Sequence, residues 1–244
     1  ITPDQVQQGI DAGLDWLVLV GSYREGAFTG LQDIVQEEEF NSPRLTPILG
    51  TGWGPSSSED QRLMLFGVDP RTPVPPDSLR HVLRWVDAHM GVSIFTNLAD
   101  SLLRHPHSWY SPTAFSGLVN GQWQAACEIG EKWDQLLHSG HRILLIGGGE
   151  FGNSSAPGTD QKSYVWAEGN RPDQILAGIR KGAVYVPERD GIRMDFRVKD
   201  RPMGSEVAIT ESDTYLRIKA SARHPISRVT LIADGEIIWT AEPD

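Results

Sequence analysis

Leu145-Ile146-Gly147-Gly148-Gly149-Glu150-Phe151-Gly152-Asn153 is the stretch on which the fold turns. Gly147, Gly149 and Gly152 fit G-x-G-x-x-G, and an apolar run, Ile143 to Ile146, precedes them as a strand would. A dinucleotide loop needs a helix directly after the glycines, because the pyrophosphate sits on that helix's N-terminus. The next residues are instead Asn153-Ser154-Ser155-Ala156-Pro157-Gly158-Thr159-Asp160, broken by Pro and Gly and without an amphipathic period. No Gly-Lys-Ser/Thr occurs, so a P-loop is excluded too. The glycines therefore read as a strand-to-loop turn that needs positive φ.

Working outward, strand and helix alternate. Thr2-Pro3-Asp4 starts a helix with a capping hydroxyl and an early Pro, and Val6, Ile10 and Leu14 form its apolar stripe up to Gly13. Trp16 to Val20 is a continuous apolar run, as in a strand covered on both faces. Leu31 to Phe40 reads as a helix, and Thr46 to Leu49 and Leu63 to Phe66 as short strands. Pro75-Pro76-Asp77 opens a helix carrying Leu79, Val82, Leu83 and Val86 on one side. Val92 to Phe95 is a strand, Gln122 to His138 a helix and Arg142 to Ile146 the next strand. Tyr164 to Trp166, a helix over Pro172 to Lys181, and a strand over Ala183 to Val186 complete this part. Such alternation predicts an α/β domain with mostly parallel strands.

After Val186 the pattern changes. Met194 to Val198, Glu206 to Ile209, Tyr215 to Ala220, Val229 to Ala233 and Glu236 to Trp239 read as strands, with Asp234-Gly235 as a hairpin turn. The expected division is an α/β domain over 1–187 and a small antiparallel β module over 188–244.

Composition bounds the function. The chain has 244 residues, 39% of them apolar, enough for a core and one or two domains. The net charge of −10 argues against nucleic acid as a partner, since affinity for phosphate backbones rests on clustered Lys and Arg. No run of eighteen apolar residues occurs, so no membrane span is expected. Cys127 is the single cysteine, which excludes internal disulfides and thiolate clusters within the sequence. The opening shows no basic n-region with an apolar h-region, and Ile1 is not an initiator Met. A mature or trimmed form is expected, and an exported origin stays open.

The segment Gly147-Gly148-Gly149-Glu150-Phe151-Gly152, Ala156-Pro157-Gly158, Ser163-Tyr164-Val165-Trp166 and Asp173 through Val186 resembles the last part of a metal-dependent hydrolase domain. The family is the polymerase-and-histidinol-phosphatase (PHP) superfamily, in its carbaryl-esterase-like CehA/McbA branch. The resemblance runs over nearly the whole chain. Ala12-Gly13-Leu14-Asp15-Trp16-Leu17-Val18-Leu19 is similar to the family's second strand, Leu49-Gly50-Thr51-Gly52-Trp53 to its Pro-Gly-x-Glu, and Val119-Asn120-Gly121 to its Val-x-Asn-Gly. Arg62 through Gly67 resembles Gly-His-x-x-x-x-Gly, and Ser93 through Ala99 a strand ending Asn-His-Pro. The β tail resembles a domain often appended in this branch.

What the resemblance implies is a distorted PHP-type (β/α)7-like barrel, incomplete at its N-terminus, with the β module after it. The family's His-x-His strand comes just before the helix at Thr2; here it is either lost or trimmed, or it lies upstream of Ile1. Every ligand position that aligns is changed. Thr-Asp-His becomes Val20-Gly21-Ser22, the bridging Glu becomes Gly52, a His becomes Leu98, and Ser-Asp-x-His leaves Glu150 and Gly152. Metal sites of this kind need imidazoles and carboxylates at about 2.0–2.2 Å. Of these positions only Glu150 retains a ligating side chain.

The expected protein is therefore a catalytically degenerate homologue, a pseudoenzyme with no catalytic residues, no metal and no cofactor. It would bind a small anionic ligand or a protein partner, or play a structural role. Ligand sites on such barrels lie at strand ends, which selects Ser22, Arg62, Asn97 and Glu150. The alternative is a metal-dependent hydrolase of phosphate or other esters, using a rebuilt site or residues upstream of Ile1.

Other motifs carry blander readings. His105-Pro106-His107 reads as a surface loop rather than a metal pair. Glu37-Glu38-Glu39 reads as a solvated helix face, and Asp100 as either a helix cap or a catalytic acid. Trp53, Trp123 and Trp133 read as core or rim aromatics rather than sugar platforms. Ser22 as a nucleophile lacks a G-x-S-x-G context.

Overall fold

The computed structural model describes residues 3–22, 44–53, 63–68, 78–95, 113–116, 133–147, 162–187, 191–208 and 214–243. The expected helix over Leu31 to Phe40, with Glu37 to Glu39, lies outside these residues. So do Thr2, Pro75 to Asp77, Asp100, His105, His107, Trp123 and Cys127.

Helix α1 (Pro3–Asp11) leads into β1 (Trp16–Ser22). Val6 is buried with Leu45, and Ile10, Leu14 and Leu17 pack beside them, so the predicted stripe is the buried face. Next come β2 (Thr46–Trp53), β3 (Leu63–Phe66), α2 (Leu79–Ala88) and β4 (Val92–Phe95). Helix α2 is capped by Ser78, whose hydroxyl accepts from the His81 N–H at 3.4 Å. Two short strands come after it, β5 (Thr113–Ser116) and β6 (Ile143–Ile146), with residues 133–138 helical before β6 and labelled α3. Strand β7 (Tyr164–Val165), helix α4 (Pro172–Arg180) and β8 (Val184–Tyr185) complete the α/β part.

Six strands form one sheet in the order β1-β2-β3-β4-β5-β6. The pairs β1–β2, β4–β5 and β5–β6 are parallel, whereas β3 is antiparallel to both β2 and β4. Mostly parallel is thus right for five strands and wrong for β3. The reason is the short link between β2 and β3, which is too brief for a parallel crossover. No sequence pattern predicts β5, yet it fills the place between β4 and β6.

Side chains alternate across this sheet with the period of two that strands impose. Leu63, Leu65 and Phe95 join Val82, Leu83 and Val86 of α2 and Leu136 of α3 in one buried cluster. Phe66, Val92, Ile94, Ile48 and Ile146 join Ile175, Leu176 and Ile179 of α4 in the other. Trp16 and Val18 of β1 pack against the same α4 cluster as Ile146 of β6. Since β1 and β6 are the two ends of the strand order, the sheet curls around α4 rather than lying flat. Among the described residues no strand pairing closes β6 onto β1, so the molecule is mixed α/β and a closed barrel is not seen.

After residue 190 the described chain is strand and turn. β9 (Arg193–Val198) pairs antiparallel with β10 (Arg201–Pro202) and with β11 (Leu216–Ser221). β12 (Val229–Ala233) pairs antiparallel with β13 (Glu236–Ala241) through the two-residue turn Asp234-Gly235, both at positive φ (52° and 78°) as a type I′ turn requires. The expected strand from Glu206 to Ile209 is absent over 206–208, and Ile209 lies outside the described residues.

Candidate functional site

Register fixes one edge of the sheet. Ser22 pairs with Gly52, Gly52 with Met64, Met64 with Ile94, Ile94 with Ala114 and Ala114 with Leu144. That row crosses all six strands. One residue further out, Trp53, Leu63, Phe95, Phe115 and Leu145 form a second row. The C-terminal ends of β1, β2, β4, β5 and β6 therefore share an edge with the N-terminal end of β3. This is the rim at which strand-end side chains collect.

Ser22 closes β1 on that rim, at the register of Gly52. Arg62, Asn97 and Glu150 lie outside the described residues. Their nearest described chain neighbours are Leu63 at the start of β3, Phe95 at the end of β4, and Gly147 just after β6. Leu63 and Phe95 are register partners. Because β3 is reversed, the chain reaches the rim just before β3 rather than after it, so the position of Arg62 precedes a strand start.

The residue types at the ends of β1 and β2 are simple. Gly21 and Ser22 on β1 and Gly52 on β2 supply neither an imidazole nor a carboxylate. Among the described residues, a Cβ built on Gly52 meets no atom within 4 Å. Thr51, beside it, is buried and donates to the Gly52 carbonyl at 3.3 Å. These positions do not fit a transition metal, which needs three or more nitrogen or carboxylate donors. Among the described residues no group of three His, Cys, Asp or Glu side chains comes together as a metal-holding set.

Beyond β6 the turn is anchored by Ser163. Its hydroxyl accepts from the Gly147 N–H at 2.9 Å and donates to the Gly147 carbonyl at 2.7 Å. The first glycine of the Gly147-Gly148-Gly149 run is thereby fixed at both backbone polar groups. Next to Ser163, Tyr164 stacks on its register partner Tyr185, with ring centroids 5.2 Å apart and planes 19° from parallel. Burial pushes the Tyr185 phenol above its usual range, so this hydroxyl stays protonated. The sequence pattern assigns Ser163 no role. Its partner is sixteen residues away in the chain, and no local pattern announces such a bond.

Trp53 and Trp133 are partly buried, as core or rim residues are. Trp53 and Trp133 pack against the cluster that holds α2 and α3. The Trp133 indole N–H donates to the Ile143 carbonyl at 2.8 Å, which fastens α3 to β6. A separate groove of about 240 Å³ lies beside Trp166, Glu168, Asp195, Arg197 and Met203, away from the rim. Asp195 and Arg197 already pair there at 2.9 Å. No described helix is long and apolar enough to cross a membrane.

No family model matches the chain, and no curated protein matches it. Among solved structures, it is similar to a two-domain protein from Bacteroides vulgatus containing a predicted PHP-like metal-dependent phosphoesterase. The TM-score is 0.53 and the identity 9%, over 94% of this chain and 76% of that one. At that identity the likeness concerns the fold, which supports a PHP-like architecture.

Proposed function

We propose that this chain is a catalytically degenerate PHP/CehA-like homologue whose sheet rim binds a small anion. Ser22, Arg62, Asn97 and Glu150 form the ligand-facing set. The observation that carries the reading is the pair of strand ends at Ser22 and Gly52. Where the resembling family places Thr-Asp-His and a bridging Glu, this chain has a hydroxyl and a hydrogen, and no described atom lies within 4 Å of a Cβ at Gly52. A hydroxyl donor and a guanidinium suit phosphate, sulfate or carboxylate. A cation would lack donors and would be repelled by Arg62. In this reading the α/β part, 1–187, is an incomplete (β/α)7-like barrel, and 188–244 is an appended β module.

The second reading is a working metal-dependent hydrolase of phosphate or other esters. The metal-dependent phosphoesterase predicted in the structural neighbour favours it. Elemental analysis of protein purified without chelator, beside calorimetric titration with inorganic phosphate, separates the two. The proposal expects no stoichiometric Zn, Mn or Fe, and phosphate binding that is lost in Arg62→Ala. Stoichiometric transition metal, with esterase activity abolished by Glu150→Gln, overturns it.

A further inference from the structure

Helix α3 ends at His138, whose imidazole faces two carbonyl oxygens. Nδ1 lies 2.9 Å from the Asp134 carbonyl, one turn back on the helix. Nε2 lies 2.8 Å from the Asp234 carbonyl, at the tip of the β12–β13 hairpin. A carbonyl can only accept. A neutral imidazole has one N–H and one bare nitrogen, so it serves one of these oxygens and turns a lone pair on the other. Only the imidazolium donates to both.

We propose that protonation of His138 latches the β12–β13 hairpin onto the end of α3, and that loss of the proton releases the latch. The surroundings are built for the charged ring. Asp134 places Oδ2 at 3.5 Å from Nδ1, and Asp234 brings a second carboxylate from the hairpin. The last turn of a helix also favours a cation. On the hairpin side, a Cβ at Gly235 would lie 2.5 Å from Cε1 of the ring, so the glycine is what lets the turn seat against the imidazole.

The hairpin has reason to need a latch. A two-stranded ribbon is marginally stable by itself. This one leaves Ile232, Ile237, Ile238 and Trp239 between 49% and 67% exposed, so little apolar burial holds it down.

The direction in pH comes from the same contacts. The two carbonyls, first that of Asp134 and then that of Asp234, and the neighbouring carboxylates raise the His138 pKa above its ordinary 6.5. A raised folded-state pKa means the latch contributes fully below the ordinary value. Its contribution is lost as pH rises through the folded value.

The test uses the full chain. The His138 ring is titrated by NMR, and amide exchange over 229–241, corrected for intrinsic rates, is compared at about pH 5.5 and about pH 8.5. The wild type should show about fivefold or greater extra protection of the hairpin at the acid pH, and His138→Gln should show none. A ring pKa at or below 6.5, or a wild-type hairpin that responds to pH as His138→Gln does, overturns the latch. If His138→Gln does not fold, Asp134→Asn decides. It keeps both carbonyl bonds, so it should lower the ring pKa while the hairpin stays protected at acid pH. An unchanged ring pKa in that variant also overturns the proposal.

Discussion

Ser163 holds Gly147 from both sides, taking its N–H at 2.9 Å and giving its own proton to the carbonyl at 2.7 Å. A segment that leaves the sheet through three successive glycines has little intrinsic preference for one path. A single hydroxyl fixes both backbone polar groups of the first of these glycines.

Ser163→Ala should therefore cost more than an ordinary surface change. Both Gly147 groups are partly buried and would lose their partner, at about 1–3 kcal/mol in total. Urea denaturation reads the loss, and hydrogen exchange at the Gly147 amide reads its place. Unaltered exchange at that amide would mean the clamp is not formed in solution.

Gly50 and Gly52 stand two residues apart on β2 and should respond in opposite ways to alanine. A Cβ at Gly50 meets the Leu65 carbonyl, a Phe66 ring carbon and a Val18 methyl, each at 3.1 Å. Strands β1 and β3 would both have to give, so Gly50→Ala should destabilise by about 1–3 kcal/mol. Gly52→Ala meets none of the described atoms within 4 Å and should stay within about 0.5 kcal/mol of the wild type. Paired denaturation curves decide, and equal costs would refute the pairing of β2 with β1 and β3 in this register.

Arg180 ties the end of α4 to the end of α2. It donates to the Gly91 carbonyl at 2.7 Å and to Asp87 Oδ1 at 2.8 Å. Its side chain is only 17% exposed, whereas that of Asp87 is 49% exposed. The carbonyl bond should therefore carry most of the effect. Arg180→Ala is expected to cost about 1.5–3 kcal/mol. Asp87→Asn, which weakens only the half-exposed ion pair, should cost less than about 1 kcal/mol. A double-mutant cycle gives the coupling, and the reverse ranking would assign the stabilisation to the ion pair.

The residues explain which elements can be read from the chain. β1, β3 and β6 are built on uninterrupted apolar runs, β4 on one broken only by the buried Ser93, and α2 and α4 carry their apolar stripes at helical spacing. Strand β5, Thr-Ala-Phe-Ser, offers only two apolar residues and no contrast with its surroundings. The reversal of β3 is hidden by a boundary. Gly50 and Gly52 suggest a turn, which ends β2 at Leu49 and leaves room for a crossover. In fact β2 runs to Trp53, and only residues 54–62 separate it from Leu63. A parallel return needs a dozen or more residues, so this link can only turn back.

Turns divide in the same way. Asp234-Gly235 announces itself by composition. Lys199-Asp200 joins β9 to β10 at φ 46° and 62° without any glycine. Instead the Asp200 carboxylate takes the Tyr215 hydroxyl and pairs with Arg217 at 2.9 Å. That support comes from β11 and its approach, beyond the reach of a local reading. Of the four residues proposed for the rim, only Ser22 lies among the described residues. The apolar run stops at Val20, but β1 carries two residues past it, which puts Ser22 inside the strand as its last member.

The strand order of the large sheet is also the order of the chain. Each described strand of this sheet pairs with the described strand before it, and none of them has to be threaded between two that already lie side by side. A growing polypeptide can therefore lay the sheet down from β1 toward β6 as it leaves the ribosome. Such a sheet escapes the delay that inserted central strands impose on many α/β proteins. The last step would then be the arrival of α4 in the hollow of the curl, where Ile175, Leu176 and Ile179 meet side chains from β2, β3, β4 and β6 together. Until that helix is synthesised the concave face lacks the three buried side chains that fill its centre, and the nascent protein depends on the exit-site environment to keep it from strangers.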